Sequence, residues 1–286
     1  MILYFTPGGR LGNQFFQLAM LHRLARQGEV CVTTRMEELL RLVDPGLRIV
    51  NIQSGILYRV VDRLCVPFLR ALSRLGLFSS VIESPDWTWR RREGLLRRVL
   101  LVEGYFQNSE LACASFRANV HVRPQHAASA DHVLASVPPG ARRVFVHLRR
   151  TDYLSYDILG KLNPSLPSSY YRELIQDCLA SSESSYFVFL SDDPDYVEHE
   201  FSWLKRKYVS RNTPEVDFAI MTKCNDGILS NSSLCWWGAF YMAAPGRQWY
   251  PKYWLGWKSR AWYPPNIRPT FGIEVEIALE QNASTS

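Results

Sequence analysis

Cysteine is sparse in this chain: six in 286 residues, at positions 31, 65, 113, 178, 224 and 235, with no C-x-x-C pair. No His/Cys grouping has zinc-ligand spacing, so a structural zinc site and a disulfide scaffold are excluded and buried free thiols are expected. Lysine is scarce too: 27 of the 33 basic residues are arginine, and the formal net charge is +6. No apolar run reaches the roughly 18 residues that a spanning helix needs. Met1 to Pro7 lack the charged start, apolar stretch and small-residue cleavage site of a secretory signal. A cytoplasmic location is expected, where the N-x-[ST] matches at Asn231 and Asn282 carry no glycan. After the first strand G-x-G-x-x-G is absent, which excludes a Rossmann dehydrogenase.

What is present is 47% apolar residue content, enough for one large domain or two medium ones. Ile2 to Phe5 predicts a strand, Gly8-Gly9-Arg10-Leu11-Gly12 a turn, and Asn13 to Arg26 a helix with Phe15, Leu18, Leu21 and Ala25 on one face. Leu100 to Val102 and Val120 to Val122 predict short buried strands. Breakers between Arg123 and Arg142 mark a boundary, giving domains 1–138 and 139–286. The second half alternates: strand 144–148, a loop through Pro167, helix 169–180, strand 186–190, helix from Pro194, strand 208–209, helix 214–224, strand 227–229, helix from Ser233. Such alternation predicts an α/β fold of parallel βαβ units, whose ligands sit outside the carboxyl ends of the strands. A polar tail follows Glu280.

Chemistry-bearing residues fall just after predicted strands. His147-Leu148-Arg149-Arg150-Thr151-Asp152 ends one strand; one arginine is free for a phosphate while the other pairs with a carboxylate such as Asp152. A structural ion cluster is the competing reading. Ser230-Asn231-Ser232-Ser233 leads from a strand into a helix, which presents N–H groups and hydroxyls to phosphate or simply caps the helix. Leu190-Ser191-Asp192-Asp193-Pro194 binds ribose or base, or caps a helix; Ser191-Asp192-Asp193 does not offer the Asp-x-Asp spacing of a metal-held diphosphate.

Gly8 to Gln14, Glu103-Gly104-Tyr105-Phe106-Gln107-Asn108, His147 to Tyr153, Phe189 to Asp193 and Asn231 to Ala239 occur in the order of the α1,2-fucosyltransferase family, glycosyltransferase family 11, which the chain resembles. The resemblance implies a GT-B fold, two facing Rossmann-like domains with parallel sheets: the C-terminal one for GDP-fucose, the N-terminal one on the acceptor side. It implies Arg149 on the β-phosphate, Ser232 and Ser233 near the pyrophosphate, Asp217 on guanine N1 and N2, His147 along the nucleoside and Asn13 near the fucosyl group. Thr151 stands where the family has glycine, and Asp226 where it has histidine. The implied reaction is inverting transfer of L-fucose to a galactose-containing glycan, with an α1,2 linkage.

A β-linked donor and an α-linked product require one displacement without a covalent intermediate. No metal or other cofactor is expected, because Arg149 and the Ser232/Ser233 helix end can stabilise the leaving diphosphate. Candidate bases are Asp152 and Asp157; Asp157 lies ten residues after His147, where the more distantly similar α1,6-fucosyltransferases carry a catalytic carboxylate, and Asp152 is assigned instead as a partner of Arg150. The aromatic tract Trp249 to Trp257 fits core packing or an acceptor platform. Transfer of another GDP-sugar, or to a protein, is the alternative within enzymes.

Between Arg59 and Arg98 nine arginines face four acids, partly on a helical pattern through Val60, Leu64, Phe68 and Leu72. A solvated basic face packed against a core is expected; a peripheral contact with an anionic inner-membrane surface stays open beside it. Aromatics do not interleave with these arginines, which argues against a nucleic-acid partner.

Overall fold

The computed structural model describes residues 1–4, 8–53 and 55–279. Phe5 of the expected first strand, Asn282 and the tail after Glu280 lie outside the described residues. The chain separates into two compact units, Met1–His126 and Ala127–Ser286, dividing inside the breaker-rich 123–142 tract.

In the first unit a six-stranded sheet runs in the spatial order Arg48–Ile52, Val30–Thr34, Ile2–Tyr4, Leu96–Glu103, Phe78–Glu83, Trp89–Arg92. All neighbours are parallel except the last, which returns antiparallel and brings Arg90 opposite Ile82. The first helix spans Leu11–Leu24, two residues earlier at each end than its apolar period suggests. No acidic residue occupies its first turn; instead Glu38, from the next helix, accepts the Leu11 N–H at 3.0 Å. That bond satisfies a helix-end donor that the local sequence leaves open.

The second unit carries a six-stranded sheet, parallel throughout, in the order Lys207–Val209, Ser185–Ser191, Arg142–Leu148, Asp226–Ile228, Gln248–Pro251, Ile273–Val275. By chain order this is 3-2-1-4-5-6, the doubly wound arrangement. Helices cover the sheet, so its strands are apolar in unbroken runs: Val144, Phe145, Val146, Phe187, Val188 and Phe189 are all fully buried. The helices Pro214–Thr222 and Ser233–Phe240 pack closely because Gly238 has no Cβ; one built there would meet Met221 Sδ at 2.5 Å. This contact joins the C-terminal halves of the helices whose first turns carry Asp217 and Ser233.

Two expectations need correction. Cys31, Cys178, Cys224 and Cys235 are buried thiols, but Cys65 and Cys113 are exposed: Cys65 ends the turn Val61–Cys65, none of whose residues is buried, and Cys113 precedes the helix Ala114–Asn119, which buries Phe116. The apolar row around Leu64 and Phe68 is exposed rather than packed on a core. The aromatic tract, in contrast, is core: Trp249, Trp254 and Trp257 are buried, and the Trp257 indole N–H donates to the Pro164 carbonyl at 2.9 Å.

Candidate active site

In the second unit the strand order reverses between Arg142–Leu148 and Asp226–Ile228, and the carboxyl ends of such a pair are where open α/β sheets leave room for a ligand. His147, on one of these strands, and Ser230, just beyond the other, meet across the reversal: His147 Nδ1 and Ser230 Oγ are 2.8 Å apart. Burial, and secondarily the Arg149 charge, push the imidazole pKa down to about 3. His147 is therefore neutral near pH 7 and brings no positive charge to this edge.

The charge comes from Arg149. Its Nη2 donates to Asp152 Oδ2 at 2.6 Å, its Nη1 lies 3.3 Å from Asp192 Oδ2, and the guanidinium rests 5.6 Å from the centre of the Tyr153 ring. Burial opposes the charge, but the Asp152 hydrogen bond and the fields of Asp192 and Asp152 outweigh it and hold the pKa above the usual arginine value. These contacts engage one N–H of each terminal nitrogen out of the five that a guanidinium carries, so the fork keeps capacity for an oxyanion.

Asp152 is thus the partner of Arg149, not of Arg150 as the sequence suggested. After Leu148 the chain enters a 3-10 turn, Asp152–Ser155, whose start brings residues three apart together. Arg150 turns instead toward the neighbouring strand end: its backbone N–H donates to Asp192 Oδ1 at 2.9 Å, its Nε to Asp193 Oδ2 at 3.3 Å, and its guanidinium covers the Tyr196 ring at 3.4 Å. Asp192 also accepts the Thr151 hydroxyl, so in this structure both its oxygens tie strand ends together. Asp193 caps the helix Pro194–Glu200 by accepting the Tyr196 N–H at 3.2 Å. Asp-x-Asp spacing does occur one residue further on than the sequence reading considered, at Asp193 and Asp195. Asp195, however, is an exposed partner of Arg211 at 2.5 Å, while Asp193 serves Arg150 and the cap.

Asn231 is buried, donates through Nδ2 to the Pro164 carbonyl at 2.7 Å, and accepts the Tyr153 hydroxyl on its own carbonyl at 3.2 Å. Its Oδ1 is buried without a hydrogen-bond partner. A buried acceptor of this kind costs about 1–3 kcal/mol unless something donates to it. Ser232 caps the following helix, accepting the Leu234 N–H at 3.4 Å, and Ser233 is that helix's first residue.

Asp217 belongs to the same sheet edge but two strands away. It sits in the first turn of Pro214–Thr222 and accepts the Ser210 hydroxyl at 2.5 Å, just past strand Lys207–Val209. Burial raises its pKa to about 7, against the lowering effect of Ser210. Asp157 is exposed in a two-strand hairpin with Lys161–Leu162, where Oδ1 accepts the Gly160 N–H at 2.9 Å. Asp226 is at the opposite, amino edge of the sheet. Fully buried, it binds Arg142 through both oxygens and accepts the Arg247 N–H at 2.6 Å. At that edge it holds the sheet together and lies away from His147 and Arg149.

The first unit gathers its two motifs in the same manner, at the carboxyl ends of the paired strands Ile2–Tyr4 and Leu96–Glu103. Gly8 and Gly9 have φ near +100° (101° and 102°), a region that suits glycine, and their carbonyls accept from Gln17 at 3.1 Å and Gln14 at 3.2 Å. Gln107 Nε2 donates to Asn13 Oδ1 at 2.6 Å, which joins the two motifs directly. Glu83, unremarked in the sequence, accepts the N–H groups of Tyr105 and Phe106 at 2.7 and 3.0 Å and shapes the second one. Burial raises its pKa, against those two bonds. A glutamate at the end of a strand beside Gly104 gave no local signal; its partners are more than 20 residues away.

The family model "Glycosyl transferase family 11" matches residues 102–248, from the last parallel strand of the first unit through the whole His147 to Trp237 array. Two curated proteins of Escherichia coli are similar in sequence. An alpha-1,2-colitosyltransferase is 26% identical over 247 residues, 81% of this chain and 84% of that protein. The O-antigen biosynthesis glycosyltransferase WbnK is 30% identical over 104 residues, 35% of this chain, and the matched stretch spans only 34% of that relative's length. Among solved structures, POFUT1 in complex with GDP superposes with a TM-score of 0.54 at 12% identity, covering 87% of this chain and 97% of that one. The likeness is one of fold, and it identifies the two α/β units as GT-B-like.

Proposed function

The chain belongs to glycosyl transferase family 11 and is a glycosyltransferase, and from that premise we propose that it transfers L-fucose from GDP-β-L-fucose to a galactoside hydroxyl with inversion, forming an α1,2 linkage. The observation that carries this is the Arg149 fork, half-buried at the strand-order reversal and oriented by Asp152 and Asp192. A preorganised guanidinium in a water-poor site stabilises charge that develops on a leaving diphosphate, which a neutral His147 cannot do. Ser233 and the N-terminus of its helix add N–H groups for the same oxyanion. The unpartnered Asn231 Oδ1 suits a donor from the nucleotide sugar, since such a contact would remove its desolvation cost. Asp217, two strands away, accepts from guanine N1 and N2, and His147 lies along the nucleoside. Asn13, presented by Gln107, serves the fucosyl group from the first unit's motif.

In the displacement, an acceptor hydroxyl oxygen bonds the anomeric carbon as the bond to the β-phosphate oxygen breaks. Its proton passes to a base, for which Asp157 is proposed, while Asp152 is occupied with orienting Arg149. Arg149 supplies the charge that a divalent metal supplies in other transferases, so activity should persist in EDTA. Activity lost to EDTA and restored by manganese would overturn that part.

A second reading is favoured by the colitosyltransferase, similar over most of its length: the same site transferring colitose from GDP-colitose. Incubation with each donor and a panel of β-galactosides, followed by linkage analysis, separates the two. Fucose on the galactose 2-hydroxyl is the expected product; turnover of GDP-colitose alone selects the second reading, and turnover of neither rejects both.

A further inference from the structure

The first unit contains a continuous helical segment whose apolar side faces solvent. It runs through Ile56–Val60, a π-helical turn Val61–Cys65 and Val66–Arg74. The π turn inserts an extra residue per turn, which keeps positions spaced by four on one side. Its inner side is slight: Val66 is buried against Leu101, with Val61 and Leu69 packed beside them. The outer side carries Ile56, Leu57, Val60, Leu64, Phe68 and Leu75, at 81, 66, 45, 67, 61 and 77% exposure. The row continues past the helix end, because Leu95, 79% exposed, is fastened to Gly76 by its N–H at 2.8 Å. Isolated exposed apolar residues are ordinary; a contiguous row marks a surface that something covers.

Cations frame this row. Arg59, Arg63 and Arg74 each precede a member of the outer side by one position, and Arg70 follows Phe68 by two. Arg70 is drawn off by Glu103 at 2.6 Å, whereas Arg59, Arg63 and Arg74 are exposed and make no ion pair among the described residues. Arg97 and Arg98, also exposed, follow Leu95 and Leu96 on the adjoining strand.

We propose that this face docks on an anionic lipid surface, with Leu57, Val60, Leu64, Phe68, Leu75 and Leu95 entering the acyl boundary and the arginines meeting headgroup phosphates. Charge decides the occupant. A second copy on the same face would set like-charged rows against each other, because a two-fold contact pairs a patch with itself. A nucleic acid would leave the aliphatic row in water. A lipid surface satisfies both halves, since apolar insertion and cation attraction act together on a helix lying in the interface.

The test is co-sedimentation of the full chain with vesicles of phosphatidylcholine alone or with 30% phosphatidylglycerol (the percentage being about that of a strongly anionic membrane). Binding to the anionic vesicles, weakened in high salt, is expected. The double variant Leu64→Ser/Phe68→Ser should reduce the partition coefficient by about tenfold or more, and each of Arg59→Gln, Arg63→Gln and Arg74→Gln by roughly fivefold. All these positions are exposed, so an unchanged thermal transition verifies the fold. Equal binding by wild type and the double variant, or no binding to anionic vesicles, overturns the proposal. So does a wild-type dimer that the double variant dissociates without any vesicle binding. The readout is independent of sugar transfer, so its failure leaves the proposed activity untouched.

Discussion

At the sheet edge of the second unit, Arg149 and Arg150 are tied by Asp152, Asp192 and Asp193, while on the helix of the first unit Arg59, Arg63 and Arg74 stand in solvent beside exposed leucines. Both regions are arginine-rich, and composition alone cannot tell them apart. Burial and pairing do. A guanidinium held by two carboxylates in a partly dry site is oriented before any ligand arrives, so it suits a defined oxyanion. A guanidinium in water is strongly screened and points nowhere in particular; it suits a surface on which many weak contacts add.

The largest effect expected from this contrast is at Arg149. Arg149→Ala should lower kcat by about a hundred- to a thousandfold, and Arg149→Lys should recover little, since a lysine cannot span Asp152 and Asp192. By comparison, Arg63→Gln should leave transfer to a water-soluble acceptor unchanged. If both variants lose activity alike, the distinction between the two regions fails. Next comes the base: Asp157→Asn should reduce kcat by on the order of a hundredfold with GDP binding intact, and an unchanged kcat would remove Asp157 from the mechanism.

A smaller, graded effect belongs to Asp217. With its pKa raised to about 7 by burial, the ligand-free carboxyl is largely protonated at pH 5 and must ionise to accept from guanine. GDP affinity is therefore expected to rise about tenfold per pH unit between pH 5 and 7 and then level off, as titration calorimetry can show. The same raised pKa gives a stability prediction of opposite sign. The folded state holds a proton that the unfolded chain releases near pH 4, so this stabilisation is present below pH 4 and lost as pH rises through about 7. Asp217→Asn should then raise ligand-free stability in urea at pH 8 by on the order of 2–4 kcal/mol, with little change at pH 4. An affinity profile flat from pH 5 to 8 would remove Asp217 from guanine.

For function the smallest effect is at Asp226. Asp226→Asn should cost about 2–3 kcal/mol of stability, because it leaves Arg142 without its buried partner. GDP affinity should not move. A changed affinity would mean that the amino edge of the sheet communicates with the carboxyl edge.

The second unit was legible because its strands are short unbroken apolar runs and its helices begin at Pro194, Pro214 and Ser233, residues that fix a helix start. The first unit was less so. Trp89–Arg92 carries three arginines in four residues and forms a strand only because it pairs with Phe78–Glu83. Arg48–Ile52 likewise depends on its neighbour Val30–Thr34. Within the site, the strand-end location of His147, Arg149 and Asn231 could be read from sequence. The exchange of partners between Arg149 and Arg150 could not, because it is set by where the 3-10 turn begins and by Asp192 and Asp193 some 40 residues later. The pairing of Arg142 with Asp226, 84 residues apart, was equally invisible and gives Asp226 a place in the scaffold.

The parallel order of the second sheet has a metric consequence. Neighbouring strands are spaced by about 4.8 Å, so the two steps from Arg142–Leu148 to Lys207–Val209 set the Arg149 and Asp217 regions roughly 10 Å apart along the edge. On the proposed reading the sheet is a ruler for the donor, with the base measured off at one strand and the diphosphate at another. Its calibration is the middle strand, Ser185–Ser191, whose ladder with both neighbours fixes where each end of the nucleotide must lie.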